Sequence, residues 1–142
     1  MKTVIAGLVS AAIVFVFVPS ASADVPGLAP FVGTWQKHDA KLVIDNTGTG
    51  VNTYPDIGVC SSCSEGDAPR GTLTFALTSA LDGVATGSIT ASTDPANHAV
   101  GAPVTATLTA GSPGQLLQLT VDGMRQLPFC DGDAEATGQC GA

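Results

Sequence analysis

Leu73, Phe75 and Leu77 alternate with Thr72, Thr74, Ala76 and Thr78. The same period of two returns twice. Val104, Ala106 and Leu108 interleave with Thr105, Thr107 and Thr109, and Leu117, Leu119 and Val121 point opposite to Leu116, Gln118 and Thr120. Successive side chains of an extended chain lie on opposite faces, so this spelling gathers aliphatics on one side and threonines on the other. A pleated sheet with one wet face follows. Beyond residue 23 no stretch places apolar residues at clean helical spacing, and the pattern predicts an all-β chain.

Eight strands are expected, over about 33–38, 41–45, 50–54, 71–79, 84–92, 103–110, 115–121 and 124–130. Turn signals separate neighbours: His38-Asp39, Asn46-Thr47-Gly48, Asp82-Gly83, Ser112-Pro113-Gly114 and Asp122-Gly123. The Asp-Gly pairs are the strongest, because a tight hairpin turn needs positive φ at its centre. Short links imply an antiparallel meander, and a meander of this size tends to close into a small β-barrel, fully or partly, which removes exposed edges. A two-sheet β-sandwich is the alternative. Length allows one domain at residues 33–142, after a lead-in at 24–32 that carries two prolines and a glycine.

Residues 1–23 read as a secretory signal peptide. Lys2 supplies the positive n-region, Val4 to Val18 is an uncharged apolar run, Pro19 ends it, and Ala21-Ser22-Ala23 fits cleavage before Asp24. The run is shorter than the ~20 residues of a membrane span, so no stable membrane insertion is expected after cleavage. The destination is then extracellular or the cell envelope. Lys2 leaves with the signal, and Lys37, Lys41, Arg70 and Arg125 remain against 12 acids, a net charge of −8. That sign repels phosphate backbones, so nucleic acid is not an expected partner.

Phe31-Val32-Gly33-Thr34-Trp35, followed by Leu42-Val43-Ile44-Asp45 and a Gly48-x-Gly50 turn, resembles the start of lipocalin- and avidin-type barrels. The resemblance covers residues 31–54 and implies that Trp35 plugs one barrel end while the next two strands form a hairpin. The avidin likeness stops short of biotin, since this chain lacks the further tryptophans that wall that site. In format the chain also resembles small secreted β-proteins of mycobacteria and related actinobacteria.

Cys60, Cys63, Cys130 and Cys140 are four cysteines in an exported chain, which favours two structural disulfides. A zinc site is disfavoured by the nine residues between Cys130 and Cys140, and a redox Cys-x-x-Cys by the lack of a helix to open. Strand parity puts Cys60 and Cys63 at one barrel end and Cys130 at the other, favouring the pairs Cys60–Cys63 and Cys130–Cys140. A nine-residue tail is still long enough for Cys140 to climb the barrel. Asp131-Gly132-Asp133-Ala134-Glu135 begins like a calcium loop, but Ala136 stands where the turn glycine belongs and Ala142 at the twelfth position, so no metal site is expected.

His38 and His98 lack a patterned nucleophile beside them, and no enzyme or cofactor is expected. The leading expectation is a secreted, non-enzymatic binding module for a small apolar ligand, with Trp35, Leu73, Phe75, Leu77, Ile89, Val104, Leu108, Leu117 and Leu119 lining or filling the barrel. Small residues on strands five and six, among them Ala85, Gly87 and Ala106, leave either ligand space or a thinner core. The alternative is a structural or protein-interaction domain at the cell envelope that meets a partner through loops 55–70 and 93–102. The longer of these loops, with its cysteine pair, is expected to be the most functionally exposed surface.

Overall fold

In a computed structural model the chain is described over residues 24–60, 62–63 and 66–141. The signal-peptide reading of residues 1–23 lies outside the described residues. Among the described residues nine strands form: β1 Gly33–Lys37, β2 Ala40–Ile44, β3 Thr49–Pro55, β4 Arg70–Leu81, β5 Val84–Ser92, β6 Pro103–Ala110, β7 Gln115–Val121, β8 Met124–Arg125 and β9 Phe129–Cys130. Each of β1 to β7 pairs antiparallel with the next. The ring closes where β9 slots between β7 and β1, pairing Leu117 with Phe129 and Gln36 with Cys130. The molecule is a closed eight-stranded antiparallel barrel with β8 as an extra strand, and not a sandwich.

The Asp-Gly turns form as their sequence requires. Asp82 and Asp122 sit at φ 50° and 48°, and each following glycine sits at 77°. Both central residues thus have the positive φ that matches the twist of the flanking strands.

The segment expected as a single strand over 124–130 divides. Met124–Arg125 pairs back onto β7, Gln126–Pro128 leaves the sheet, and Phe129–Cys130 closes the barrel. Pro128 has no N–H to give a ladder, so a strand cannot run through it unbroken. The lead-in also holds more order than its prolines and glycine suggest. A 3₁₀ turn at Ala29–Phe31 puts Leu28 and Phe31 into the core, and the Trp35 indole donates to the Phe31 carbonyl at 2.9 Å. The lead-in therefore packs as part of the barrel rather than beside it.

The barrel interior is packed by its own side chains. Trp35, Leu42, Ile44, Leu73, Phe75, Leu77, Ile89, Leu117, Leu119 and Phe129 are all at most 3% exposed and form one cluster. The small residues of β5 and β6 belong to it: Ala85 and Ala106 are fully buried, and a Cβ at Gly87 would run into the Ala76 carbonyl. On β3, a Cβ at Gly50 would overlap the Phe75 ring, so that glycine makes room for the largest side chain at that level.

Both disulfides pair as parity favoured, Cys60 with Cys63 and Cys130 with Cys140. The placement behind the parity argument differs. Cys130 is paired with Gln36 near the far end of β1, and the Cys140 carbonyl accepts from the His38 amide in the β1–β2 turn. Barrel strands are staggered as well as alternating, so counting strand directions misplaces a residue on the closing strand.

Candidate functional site

The β1–β2 turn, His38-Asp39, is the corner on which the surface chemistry is built. Asp39 takes φ 54°, a left-handed conformation that aspartate tolerates better than most residues. Its carbonyl accepts from the Arg70 guanidinium, while its carboxylate lies 3.5 Å from His38 Nε2. Arg70 opens β4 opposite Pro55 of β3, two strands away from the turn it braces. On the other side the C-terminal segment is held by three contacts: the Cys130–Cys140 bridge, the Cys140–His38 backbone bond, and α1 at Gly132–Glu135 packed against β1, β7 and β9.

Asp131 fixes α1. One carboxylate oxygen accepts from the Ala134 amide at 2.9 Å and caps the helix; the other accepts from the Gln115 amide at 2.8 Å. The start of a calcium-like loop is thus a helix cap that ties the C-terminal segment to β7.

Between turn, β4 and C-terminal segment lies a cavity of about 570 Å³. Lys37, Lys41 and Arg70 line it with His38, Asp39 and Glu135, and Gln36, Ala40, Thr53, Cys140 and Gly141 complete the wall. Lys41 pairs with Thr53 on adjacent strands. The Lys37 ammonium stands 4.5 Å above the Phe129 ring, and burial lowers its pKa from the ordinary lysine value. A second cavity of about 500 Å³ adjoins, sharing His38, Cys140 and Gly141 and adding Leu127, Pro128 and Gln139. Leu127 is 75% exposed there.

Of the residues expected to line a ligand site, Trp35, Leu73, Phe75, Leu77, Ile89, Val104, Leu117 and Leu119 are core, and Leu108 packs against them half-buried. None lines either of these two cavities. The 55–70 connection carries a 3₁₀ turn at Ile57–Val59 with both of those side chains exposed, and its neck is closed by the Asp56 amide bonding the Pro69 carbonyl at 2.7 Å. In the 93–102 loop Asp94 accepts from the Asn97 side chain at 2.8 Å, which holds its carboxyl below the usual range. His98 meets Tyr54 edge-on, with ring centroids 6.4 Å apart. Asn52, only 4% exposed, keeps Oδ1 without a hydrogen-bond partner among the described residues.

The basic cleft was the part that sequence reasoning missed. Lys37 and Lys41 flank a turn signal, and Arg70 begins the strand after β3. A meander already implies that these come close, which was the available signal. Fold and site together define a closed β-barrel with a charged surface cleft. The chain matches no protein family, no curated protein and no solved structure.

Proposed function

We propose that this is a small secreted binding module, without catalytic activity, whose ligand seats in the cleft beside the β1–β2 turn. The observation that carries the reading is the cleft itself: a cavity of about 570 Å³ walled by a braced turn, a strand start and a disulfide-tied segment. Binding sites favour such pre-formed concavities. Two disulfides suit an oxidising compartment, and among the described residues no helix is long and apolar enough to cross a membrane. An apolar ligand would use the adjoining wall at Leu127 and Pro128, because the barrel centre is occupied by side chains.

The test is an amide-resolved NMR screen of the exported chain against a mixed library of small solutes. Saturable shifts at Lys41, Thr53, Cys140 and Gly141 are expected. A library that leaves these amides unmoved refutes the reading.

A second reading, an interaction domain at the cell envelope, draws on Ile57 and Val59, which are 55% and 68% exposed on the disulfide-bridged loop. Cross-linking on intact cells from that loop would recover an envelope partner; free monomer in the culture fluid counts against it.

A further inference from the structure

Resting on the reading of the cleft as a binding site, we infer that its ligand is a small oxyanion, a solute bearing phosphate or carboxylate groups. Beyond residue 23 the chain has four lysines and arginines, and three of them, Lys37, Lys41 and Arg70, line this one cavity. The same stretch carries 12 carboxylate side chains, so partners for these cations are abundant. Yet among the described residues none of the three forms an ion pair. The carboxylate of Asp39 faces His38 instead, and Glu135 stands in the wall without reaching a cation.

Lys41 and Arg70, without an ion pair among the described residues and in the wall of one cavity of an otherwise acidic protein, create a local field that an anion from solution can satisfy, and Lys37 adds its charge from over the Phe129 ring. Two of the three side chains are also held in place, and the third is placed by its strand. Lys37 is fixed over Phe129, Lys41 lies on a paired strand, and Arg70 is anchored through one N–H to the Asp39 carbonyl. A guanidinium has five N–H donors, so the anchored group keeps a fork that matches a planar or tetrahedral oxyanion. Lysine adds compact point charges beside it.

The experiment titrates the isotope-labelled exported chain at low ionic strength with inorganic phosphate and, separately, with citrate, using chloride as the salt control. Saturable shifts at Lys41, Arg70 and Gly141 are expected with at least one anion, and the responding arm identifies phosphate or carboxylate as the group recognised. Lys41→Gln should weaken that affinity about two- to fivefold, while Arg125→Gln, which removes the cation outside the cleft, should leave it unchanged. Arg70→Gln should weaken it more; because Arg70 also braces the turn, its fold is checked by thermal melting, and Lys41→Gln decides if that variant is unfolded. No saturable shift with either anion, or equal weakening by Lys41→Gln and Arg125→Gln, overturns the inference. If neutral solutes move these amides and the anions do not, the oxyanion assignment falls and the binding reading stands. If no solute of any charge moves them, both fall.

Discussion

Replacing Cys130 and Cys140 by alanine should damage this protein more than replacing Cys60 and Cys63. The first bridge spans 10 residues of chain and the second 3. In the chain-entropy account, a cross-link stabilises by removing conformations from the unfolded chain, and the gain grows with the logarithm of the loop. That gives about 2.7 kcal/mol for the longer bridge and about 1.6 kcal/mol for the shorter. For a domain of this size the larger value lowers the melting temperature by about 10 °C. The native state adds to the difference in the same direction. Cys130 is fully buried on the strand that closes the ring, and Cys140 positions the wall of both cavities. Cys60 and Cys63 sit instead in a loop whose neck is already held by a backbone bond. The assay is thermal and denaturant unfolding of both double variants beside the parent, with phosphate titration of each at a temperature where it is folded. The Cys130→Ala, Cys140→Ala protein should lose stability and bind weakly; the Cys60→Ala, Cys63→Ala protein should keep its binding. Equal or greater loss from the shorter bridge would refute this account of how the C-terminal segment is held.

Gly50→Ala should cost about 1–3 kcal/mol in denaturant unfolding, since the new Cβ meets the Phe75 ring in a core with no slack. Trp35→Phe should cost about 2–4 kcal/mol, because it leaves the Phe31 carbonyl without its donor and a gap beside it; wild-type stability would show that the lead-in does not depend on that bond. The Asp45 carboxylate accepts from the Thr47 hydroxyl and the Thr47 and Thr49 amides, and the first of these bonds leads in lowering its pKa. A folded-state pKa below the unfolded one adds stability above the ordinary carboxylate value that is lost as pH falls through the folded value. Asp45→Asn should therefore flatten the acid limb of a melting-temperature profile, and an unchanged limb would remove Asp45 from that role.

The strands that could be read from sequence are those with side chains enough to spell a period. Thr72 to Thr78 and Val104 to Thr109 each repeat the alternation several times, and each lies in the strand expected. β9 has two residues and follows Pro128, so it carries no period at all, yet it completes the ring. The Ala29–Phe31 turn is nearly as quiet: Pro30 suits its first turn, and burial of Leu28 and Phe31 fixes it against the barrel. Trp35, which is buried in the main cluster, was legible as a core side chain, a lone tryptophan on a first strand. The cleft was not, because Arg70 is 29 residues beyond Lys41 and joins it only through the order of the sheet.

Closure by β9 also sets a sequence in time. From β1 to β7 every pairing joins chain neighbours, most across a short turn, so those contacts cost little loop entropy to form. The pairing of Gln36 with Cys130 joins opposite ends of the domain and has to wait for the rest. The barrel is thus expected to assemble as a growing sheet and to become a ring in its final step. The cleft, whose wall is completed by Glu135, Cys140 and Gly141 of the C-terminal segment, comes into being in that same step.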